Sequence, residues 1–434
     1  MCRAWLIDHS GDLGKLVLAR MDILRPTPHP VTGGPGLHAH RRGMLAYEHA
    51  RRRWTHDLDD PEAELDAALH AIATSAAPDP ARRRFTPLPF AVAVVQAAAR
   101  VQERRGDAIL ALASLERLSE ALAAIDEPMP AETVRRMALC ADRCGRPEDG
   151  VAWCSAAMET ADPVSARALE TTGRRLARRA RAPWRPLPAL RRPDRRTLAL
   201  PPRPGPGHRP LWGLPDGDAA PVELAVAAHL QAAGRAVHIT ENAPWTTIFG
   251  LLLWDAIFAP VPGMLPGPAM HRPLDLGQPG FAERRAAVLN PLLARITAGA
   301  GPTLLREALQ THDQEAIVGV RWTHPGPDTL EALVAAVPGP ALAGILRTLA
   351  ANWRALRSGF PDLCMLPGPA FRLDQGFPGR VSDSLLFIEV KAPNDTLRDG
   401  QRFWLDHLVH LGLRAEVWDV TPTPDEHRTA QSAG

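Results

Sequence analysis

Lysine is nearly missing from this chain. Lys and Arg together number 50, and only Lys15 and Lys391 are lysine, leaving 48 arginines. Such a bias points to a coding background that disfavours lysine. A lysine that persists there is a candidate for work a guanidinium cannot do, because arginine is a planar fork that keeps its proton while lysine is a compact point charge with a tunable pKa. Lys391 is on that ground the first catalytic candidate. Excess charge of one sign is missing too. The net charge of +2 excludes a polycation and leaves only local concentrations of arginine to meet nucleic acid. Cysteine is scarce: Cys2, Cys140, Cys144, Cys154 and Cys364 are odd in number and lack CxxC pairs. That excludes a disulfide framework and a zinc site and predicts reduced thiols. Long apolar runs are absent as well. The most apolar stretch, Ile248–Pro260, is interrupted by Asp255 and is too short to span a bilayer. The N-terminus, MCRAWLIDHSGD, lacks the basic-then-apolar order of a signal peptide. A cytoplasmic protein with no membrane partner is expected.

What is present suffices for a substantial core. The chain has 434 residues, 45% of them hydrophobic, and length alone allows two or three domains. Residues 1–60 are mixed. Residues 61–182 read as helix after helix, with apolar residues at helical spacing in Pro89–Glu103, Ala108–Ile125, Val134–Cys144, Gly150–Thr160 and Ala166–Ala180. Short polar turns at Gly106-Asp-Ala and Gly145-Arg-Pro sit about one repeat apart, which predicts a tetratricopeptide-type solenoid. Residues 183–221 are rich in proline and arginine and read as a linker, whose Arg185, Arg191, Arg192, Arg195, Arg196, Arg203 and Arg209 belong to a solvated strap rather than a phosphate-binding surface.

Residues 222–422 form the second domain, with 423–434 as a tail. Val222–Ala233 predicts a helix closed by Gly234, Ala236–Thr240 a short strand, and Pro244 the first turn of an apolar helix through Phe258. Helices are expected near Phe281–Thr297, Thr303–Val320 and Ala341–Leu356. Then the period changes. Asp362–Leu366 and Leu385–Lys391 predict two strands joined as a wide hairpin, Leu397–Leu411 an amphipathic helix with Trp404, Leu405, Leu408 and Leu411 on one face, and Arg414–Val420 a last strand.

Asp362, Glu389 and Lys391 fit the cleavage of a phosphodiester. That reaction needs a nucleophilic water and neutralised charge on the phosphoryl and leaving oxygens, all of which a divalent cation supplies. Such a cation prefers carboxylate and carbonyl oxygens. Period two puts Glu389 and Lys391 on one face of a strand, turns Val390 into the core and leaves its carbonyl free to ligate. Asp362 on the neighbouring strand completes the set.

With their flanks, these residues resemble a family. GFPDL at Gly359–Leu363 and FIEVKAPNDTLRDGQRFWLDHL from Phe387 are similar to the VRR-NUC branch of the PD-(D/E)xK nucleases, and more narrowly to the Fanconi-associated nucleases. HITENAPWTTIFGLLLWDAIF at His238–Phe258, PLDLGQPGFAERR at Pro273–Arg285, VGVRW at Val318–Trp322 and the helical GRPEDGVAWC resemble further segments. The resemblance covers most of the chain between about residues 90 and 420. It implies an α+β protein, a TPR-like helical solenoid followed by a restriction-endonuclease-like PD-(D/E)xK domain. It implies a structure-selective DNA nuclease of interstrand cross-link repair that uses Mg²⁺ or Mn²⁺, cuts 5′ flaps and trims from a 5′ end (a phosphodiesterase I type). Glu241, Asp362 and Glu389 would be metal ligands with the Val390 carbonyl, and Lys391 the catalytic lysine. Gln401 falls where related nucleases have a glutamine near the site. The partner would be branched or flapped DNA.

Two features depart from the family. Asn242 stands where a glycine usually follows the first glutamate. Only a remnant of the DNA-binding region, GDLGKLVLARMDIL at Gly11–Leu24, precedes the helices, with Lys15 as a phosphate contact. Arg354, Arg357 and Arg398 flank the site and could hold a terminal phosphate. His238 is expected to pack in a strand, His407 and His410 to lie on a helix surface, and Asp395 to start the following helix. Glu223 is read as an acid favouring a helix dipole, and Trp353 and Trp404 as core. Two other functions remain: a non-catalytic DNA-junction scaffold with the same fold, and a protein-binding solenoid adaptor.

Overall fold

The computed structural model describes residues 61–73, 88–205, 210–262, 264–265, 271–313, 315, 317–322, 325–368 and 384–423. Lys15, the segment 11–24 and the β-hairpin connection at 369–383 lie outside the described residues. The chain divides into two compact units that meet in sequence at Ala189 and Leu190.

The first unit is helical: α1 Pro61–Ala73, α2 Leu88–Arg104, α3 Ala108–Ala123, α4 Ala131–Arg143, α5 Pro147–Met158 and α6 Pro163–Ala180. Local chemistry sets the breaks. Gly106 (φ 86) and Gly145 (φ 77) both take the left-handed conformation. Each is followed by a residue whose N–H returns to the carbonyl five positions back, Asp107 to Gln102 and Arg146 to Ala141. This helix-ending motif favours glycine because it has no Cβ to clash. The next helices start on Asp107, whose carboxylate accepts from Leu110 N–H at 2.8 Å, and on Pro147, already fixed near helical φ. The core runs as three successive clusters. Leu65, Ile72, Val95 and Leu118 form the first, Leu112, Leu115, Met137 and Cys140 the second, and Ala138, Cys154, Leu169 and Leu176 the third. The four described cysteines are free thiols, and burial pushes Cys140 up to about 12 and Cys154 to about 11.

The second unit is built on a five-stranded sheet. Its strands, in the numbering used here, are β1 Asp194–Leu200, β5 Val237–Ile239, β6 Leu363–Met365, β7 Leu386–Lys391 and β8 Arg414–Pro422. They run in the order β1-β8-β7-β6-β5. A small three-stranded sheet, β2 Pro202–Arg203, β3 Leu211–Gly213 and β4 Ala219–Ala220, stands beside it in sequence. β6 pairs antiparallel with β5 and β7, and β8 lies parallel to β7 and β1. Its described helices of ten or more residues are α7 Val222–Ala232, α8 Ala243–Leu252, α9 Ala286–Arg295, α10 Gly301–Thr311, α11 Pro327–Ala336, α12 Gly339–Leu356 and α13 Asp399–His410, which makes the crossover from β7 to β8.

The two faces of β7 divide the work. Leu386, Ile388 and Val390 join Val226 and Leu230 of α7 and Trp418 of β8 in one core. Phe387, Glu389 and Lys391 point the other way by the period of two. No single described helix is long and apolar enough to cross a membrane; α11 and α12 form an apolar pair bent by 114°, and they bury Leu330, Leu333, Leu342 and Leu346 inside the unit.

Several expectations change. The stretch 183–221 is not merely a linker: Asp194–Leu200 is the edge strand β1, in parallel register with β8 from Asp194↔Glu416 to Leu200↔Pro422. Leu198 and Leu200 are buried, and the arginines that masked this alternation are paired. Arg196 donates to Glu416 at 2.6 and 3.3 Å, and Arg195 binds Asp419. The helix expected over Thr303–Val320 ends at Thr311. Ile317 and Val320, which imitated helical spacing, are buried from a loop. His407 is not a surface residue. It is half-buried, stacked on Phe403 at 5.4 Å and hydrogen-bonded to Thr348 Oγ1 at 2.9 Å.

The PLDLGQPGFAERR segment is explained by a buried ion pair. Asp275 is bound by both Nη atoms of Arg285 at 2.7 and 2.9 Å, and by Arg284 Nε at 2.9 Å. Asp275 and Arg285 are essentially inaccessible. Asp275→Ala would leave a guanidinium buried without its counter-charge, so denaturant unfolding should show a loss of about 3–5 kcal/mol.

Candidate active site

Four aromatic rings hold the site-bearing segments together. Trp245 of α8 stacks on Phe360, two residues before Asp362, at 4.5 Å. Phe360 meets Phe387 of β7 at 5.8 Å and Trp404 of α13 at 4.6 Å. The Trp404 indole N–H donates to Leu356 O at 3.0 Å, so its polar atom is satisfied. The rings come from four different parts of the unit, α8, the turn before β6, β7 and α13, so burying them aligns the loop of Asp362 with the strand of Glu389 and the helix of Gln401. Trp353 belongs to the same interior, stacked on Phe249 at 4.5 Å. Truncation of Phe360 to alanine should cost about 3–5 kcal/mol in thermal or denaturant unfolding.

On that foundation the structure brings Asp362, Glu389, Lys391 and Gln401 together. Asp362 is 7% exposed, Glu389 0% and Lys391 7%. Lys391 Nζ lies 2.7 Å from Glu389 Oε1 and donates to Gln401 Oε1 at 3.3 Å. Gln401 Nε2 donates to Glu389 Oε1 at 2.6 Å. Its Oε1 also accepts from Arg398 N–H at 2.9 Å, tying the amide to the start of α13. Asp362 Oδ2 accepts from Val390 N–H at 2.8 Å. Glu389 Oε2 is buried with no hydrogen-bond partner.

The electrostatics follow from burial. Desolvation pushes the Asp362 carboxyl well above the ordinary range, and the charge of Glu389 adds to it. Desolvation also raises Glu389, against the pull of Lys391, with Glu241 and Glu223 pushing it further up. Glu223 acts on Asp362 as well. The acid at the head of α7 therefore adds negative potential at both carboxyls, besides lying in the first turn of its helix as expected. The signal that could have found it is a glutamate in the first helical turn directly before the β5 edge of the sheet.

Glu241 is exposed, and its Oε1 accepts from Asn242 Nδ2 at 3.2 Å. Val390 is buried in the core as expected. Arg354, Arg357 and Arg398 are exposed. Asp395 sits in a turn closed by its N–H to Ala392 O, ahead of α13 rather than at its start.

The donor set suits a hard divalent cation. Two buried carboxylates raise each other's affinity for positive charge, and one carboxylate oxygen has a lone-pair position with no donor facing it. Among the described residues no three His, Cys, Asp or Glu side chains converge as a metal-holding group. A cation taking three of these acids would draw them together and compete with Lys391 for Glu389.

Residues 299–422 match the VRR-NUC domain family. The matched segment is similar to a VRR-NUC domain. All of β6, β7, α13 and β8 lie inside it, with Asp362, Glu389, Lys391 and Gln401. A Fanconi-associated nuclease 1 homolog of Oryza sativa subsp. japonica is 34% identical over 210 residues, 48% of this chain and 21% of that protein. Its counterpart from Pseudomonas aeruginosa is 34% identical over 184 residues, 42% of this chain and 31% of that protein. Fanconi-associated nuclease 1 of Homo sapiens is 32% identical over 206 residues, 46% of this chain and 19% of that protein. The matched part thus spans less than a third of these curated relatives. The crystal structure of paFAN1 bound to 1nt 5′ flap DNA with gap superposes with a TM-score of 0.74 at 25% identity, covering 98% of this chain and 72% of that one. The likeness therefore extends through the helical unit as well as the segment that matches the VRR-NUC family.

Proposed function

We propose that this chain is a divalent-metal-dependent nuclease that selects branched DNA. The observation that carries the reading is the buried pair of Asp362 and Glu389, with Lys391 on one Glu389 oxygen and the other oxygen unpartnered. When bound, Mg²⁺ or Mn²⁺ would lower the pKa of a water and neutralise charge on the phosphoryl group. The side chains of Glu241, Asp362 and Glu389 would hold it, with the Val390 carbonyl and with Glu223 adding negative potential. Lys391 Nζ would orient the attacking water or offset charge on the phosphate. Gln401 restrains both Lys391 and Glu389, which limits the geometries Nζ can take. Trp245, Phe360, Phe387 and Trp404 keep solvent from the back of the site. Arg354, Arg357 and Arg398 would hold a terminal phosphate through their bidentate forks.

The finer reading is a 5′-flap endonuclease and 5′→3′ exonuclease of interstrand cross-link repair, acting inside the cell on the chromosome. The TPR-like helical unit and the segment around Lys15 would bear on the DNA. The resemblance to Fanconi-associated nucleases, and the 5′ flap DNA held by paFAN1, support this. A non-catalytic junction scaffold is the second reading, favoured by the lack of three converged acids among the described residues. Labelled 5′-flap, 3′-flap and blunt duplexes, each incubated with Mg²⁺, Mn²⁺ or EDTA, separate the two. The nuclease predicts metal-dependent products, most abundant from the 5′ flap. Salt-dependent binding of every duplex with no products would favour the scaffold.

A further inference from the structure

We propose that Asn242 is a positioning residue, joining the Glu241 carboxylate to the loop that carries Asp362 and so strengthening metal binding. The proposal rests on the reading of Glu241 as a ligand given above.

The backbone shows that something is gained at this position. Asn242 has φ 53 and ψ −57, and Ala243 N–H donates to Glu241 O at 2.6 Å across it. This is a γ-turn of the rare, strained positive-φ form. Glycine would adopt it freely, whereas a residue with a Cβ is strained there. A cap for α8 would be the ordinary justification, since asparagine commonly accepts from the second or third N–H of a helix. Asn242 makes no such bond.

Its side chain does something else with each end of the amide. Nδ2 donates to Glu241 Oε1 at 3.2 Å, and Oδ1 accepts from Gly359 N–H at 2.8 Å. The second bond is one of three between the same two segments. Thr240 N–H donates to Asp362 O at 2.7 Å, and Thr240 Oγ1 donates to Pro361 O at 3.0 Å. Residues 240–242 and 359–362 are thereby laced together, with one acid on each. Gly359 has nowhere to retreat. It has φ 90, and a Cβ there would lie 2.9 Å from the Gly400 carbonyl carbon, beside Gln401. The lacing therefore continues to the helix that holds Lys391 and Glu389. Of its three bonds, the one from Asn242 alone also touches a carboxylate.

The test is Mn²⁺ titration calorimetry on the full chain, with thermal unfolding in EDTA, for wild type, Asn242→Gly and Glu241→Ala. Asn242→Gly relieves the positive φ, so its unfolding temperature should equal or exceed that of wild type. Its Mn²⁺ dissociation constant should rise by roughly tenfold, the low end for loss of a group that orients a ligand. A constant within twofold of wild type overturns the proposal and leaves the metal site standing. A lowered unfolding temperature together with weaker binding also overturns it, because the residue is then merely structural. No Mn²⁺ binding by wild type, or unchanged binding by Glu241→Ala, removes the metal-ligand reading itself and this proposal with it.

Discussion

Lys391→Met is expected to slow metal-dependent cleavage of a 5′-flap duplex by roughly 10²–10⁴-fold, the range typical when a positioned proton-handling or charge-bearing side chain is lost. The loss should appear in the single-turnover rate constant with enzyme and cation saturating. The fold should survive. Methionine is unbranched and close to lysine in length, so it can fill the socket beside Glu389. Lys391→Arg should not restore the rate. Nζ sits 2.7 Å from Glu389 Oε1 and 3.3 Å from Gln401 Oε1 in a place only 7% exposed. A planar fork with five donors needs more room and more acceptors than that. In a chain with 48 arginines and two lysines, rescue by arginine would remove the reason for keeping a lysine here. Circular dichroism and gel filtration of the variant separate lost chemistry from lost structure.

The second large effect joins stability to pH. Burial raises Asp362 from 3.8 to about 8, with the charge of Glu389 adding to it, and burial raises Glu389 from 4.5 to about 7, with Glu241 and Glu223 adding to it. A carboxyl raised in the folded chain keeps a proton that the unfolded chain has released. Its stabilising contribution is complete below the unfolded value and drains away as pH rises through the folded one. The metal-free protein should therefore lose unfolding temperature between about pH 4 and about pH 8 from this pair. Asp362→Asn removes one titrating group, and an amide oxygen can still accept from Val390 N–H. The metal-free variant should show a flatter profile and match or exceed wild-type stability near pH 8. Cation binding should move oppositely. The cation needs ionised ligands, so Mn²⁺ affinity in wild type rises with pH, by up to about tenfold per unit for each proton displaced. In Asp362→Asn it should fall by about 100-fold or more, since a ligand and not only its support is lost. A more stable protein that no longer binds metal is the expected trade of function against stability. Equal pH profiles for the two proteins would contradict the assignment of the raised group.

Much of the second unit was legible because its central strands are short apolar runs, with Glu389 on one of them and Asp362 one residue before the other rather than inside it as expected. Leu386 to Lys391 reads as a strand with Glu389 and Lys391 on one face, and the structure puts them there, facing Gln401 rather than solvent. α7, β5 and α13 were readable from their Gly234 terminus, short apolar run and buried Trp404, Leu405 and Leu408. β1 was hidden because its period of two is carried by Leu198 and Leu200 at one end only, while Arg195 and Arg196 meet their acids more than 200 residues away. No local pattern encodes such a pairing. Glu223 was missed for the same reason, since only the packing of α7 against the sheet brings it within reach of Asp362 and Glu389. The loop at Ile317–Val320 misled because buried apolar residues three apart look helical whether or not a helix joins them. Asn242 was visible as an oddity, but its two hydrogen bonds depend on where the Gly359 turn arrives.

The most direct test of the central claim is single-turnover cleavage of an end-labelled 5′-flap duplex by wild type and by Asp362→Ala, with Mn²⁺ or EDTA, alongside a binding measurement on the same DNA in EDTA. The account predicts cutting near the junction by wild type with Mn²⁺, none in EDTA, none by Asp362→Ala, and DNA affinity preserved in the variant. Cutting by a folded Asp362→Ala at the wild-type rate, or its absence from a folded, DNA-binding, Mn²⁺-loaded wild type, would contradict it.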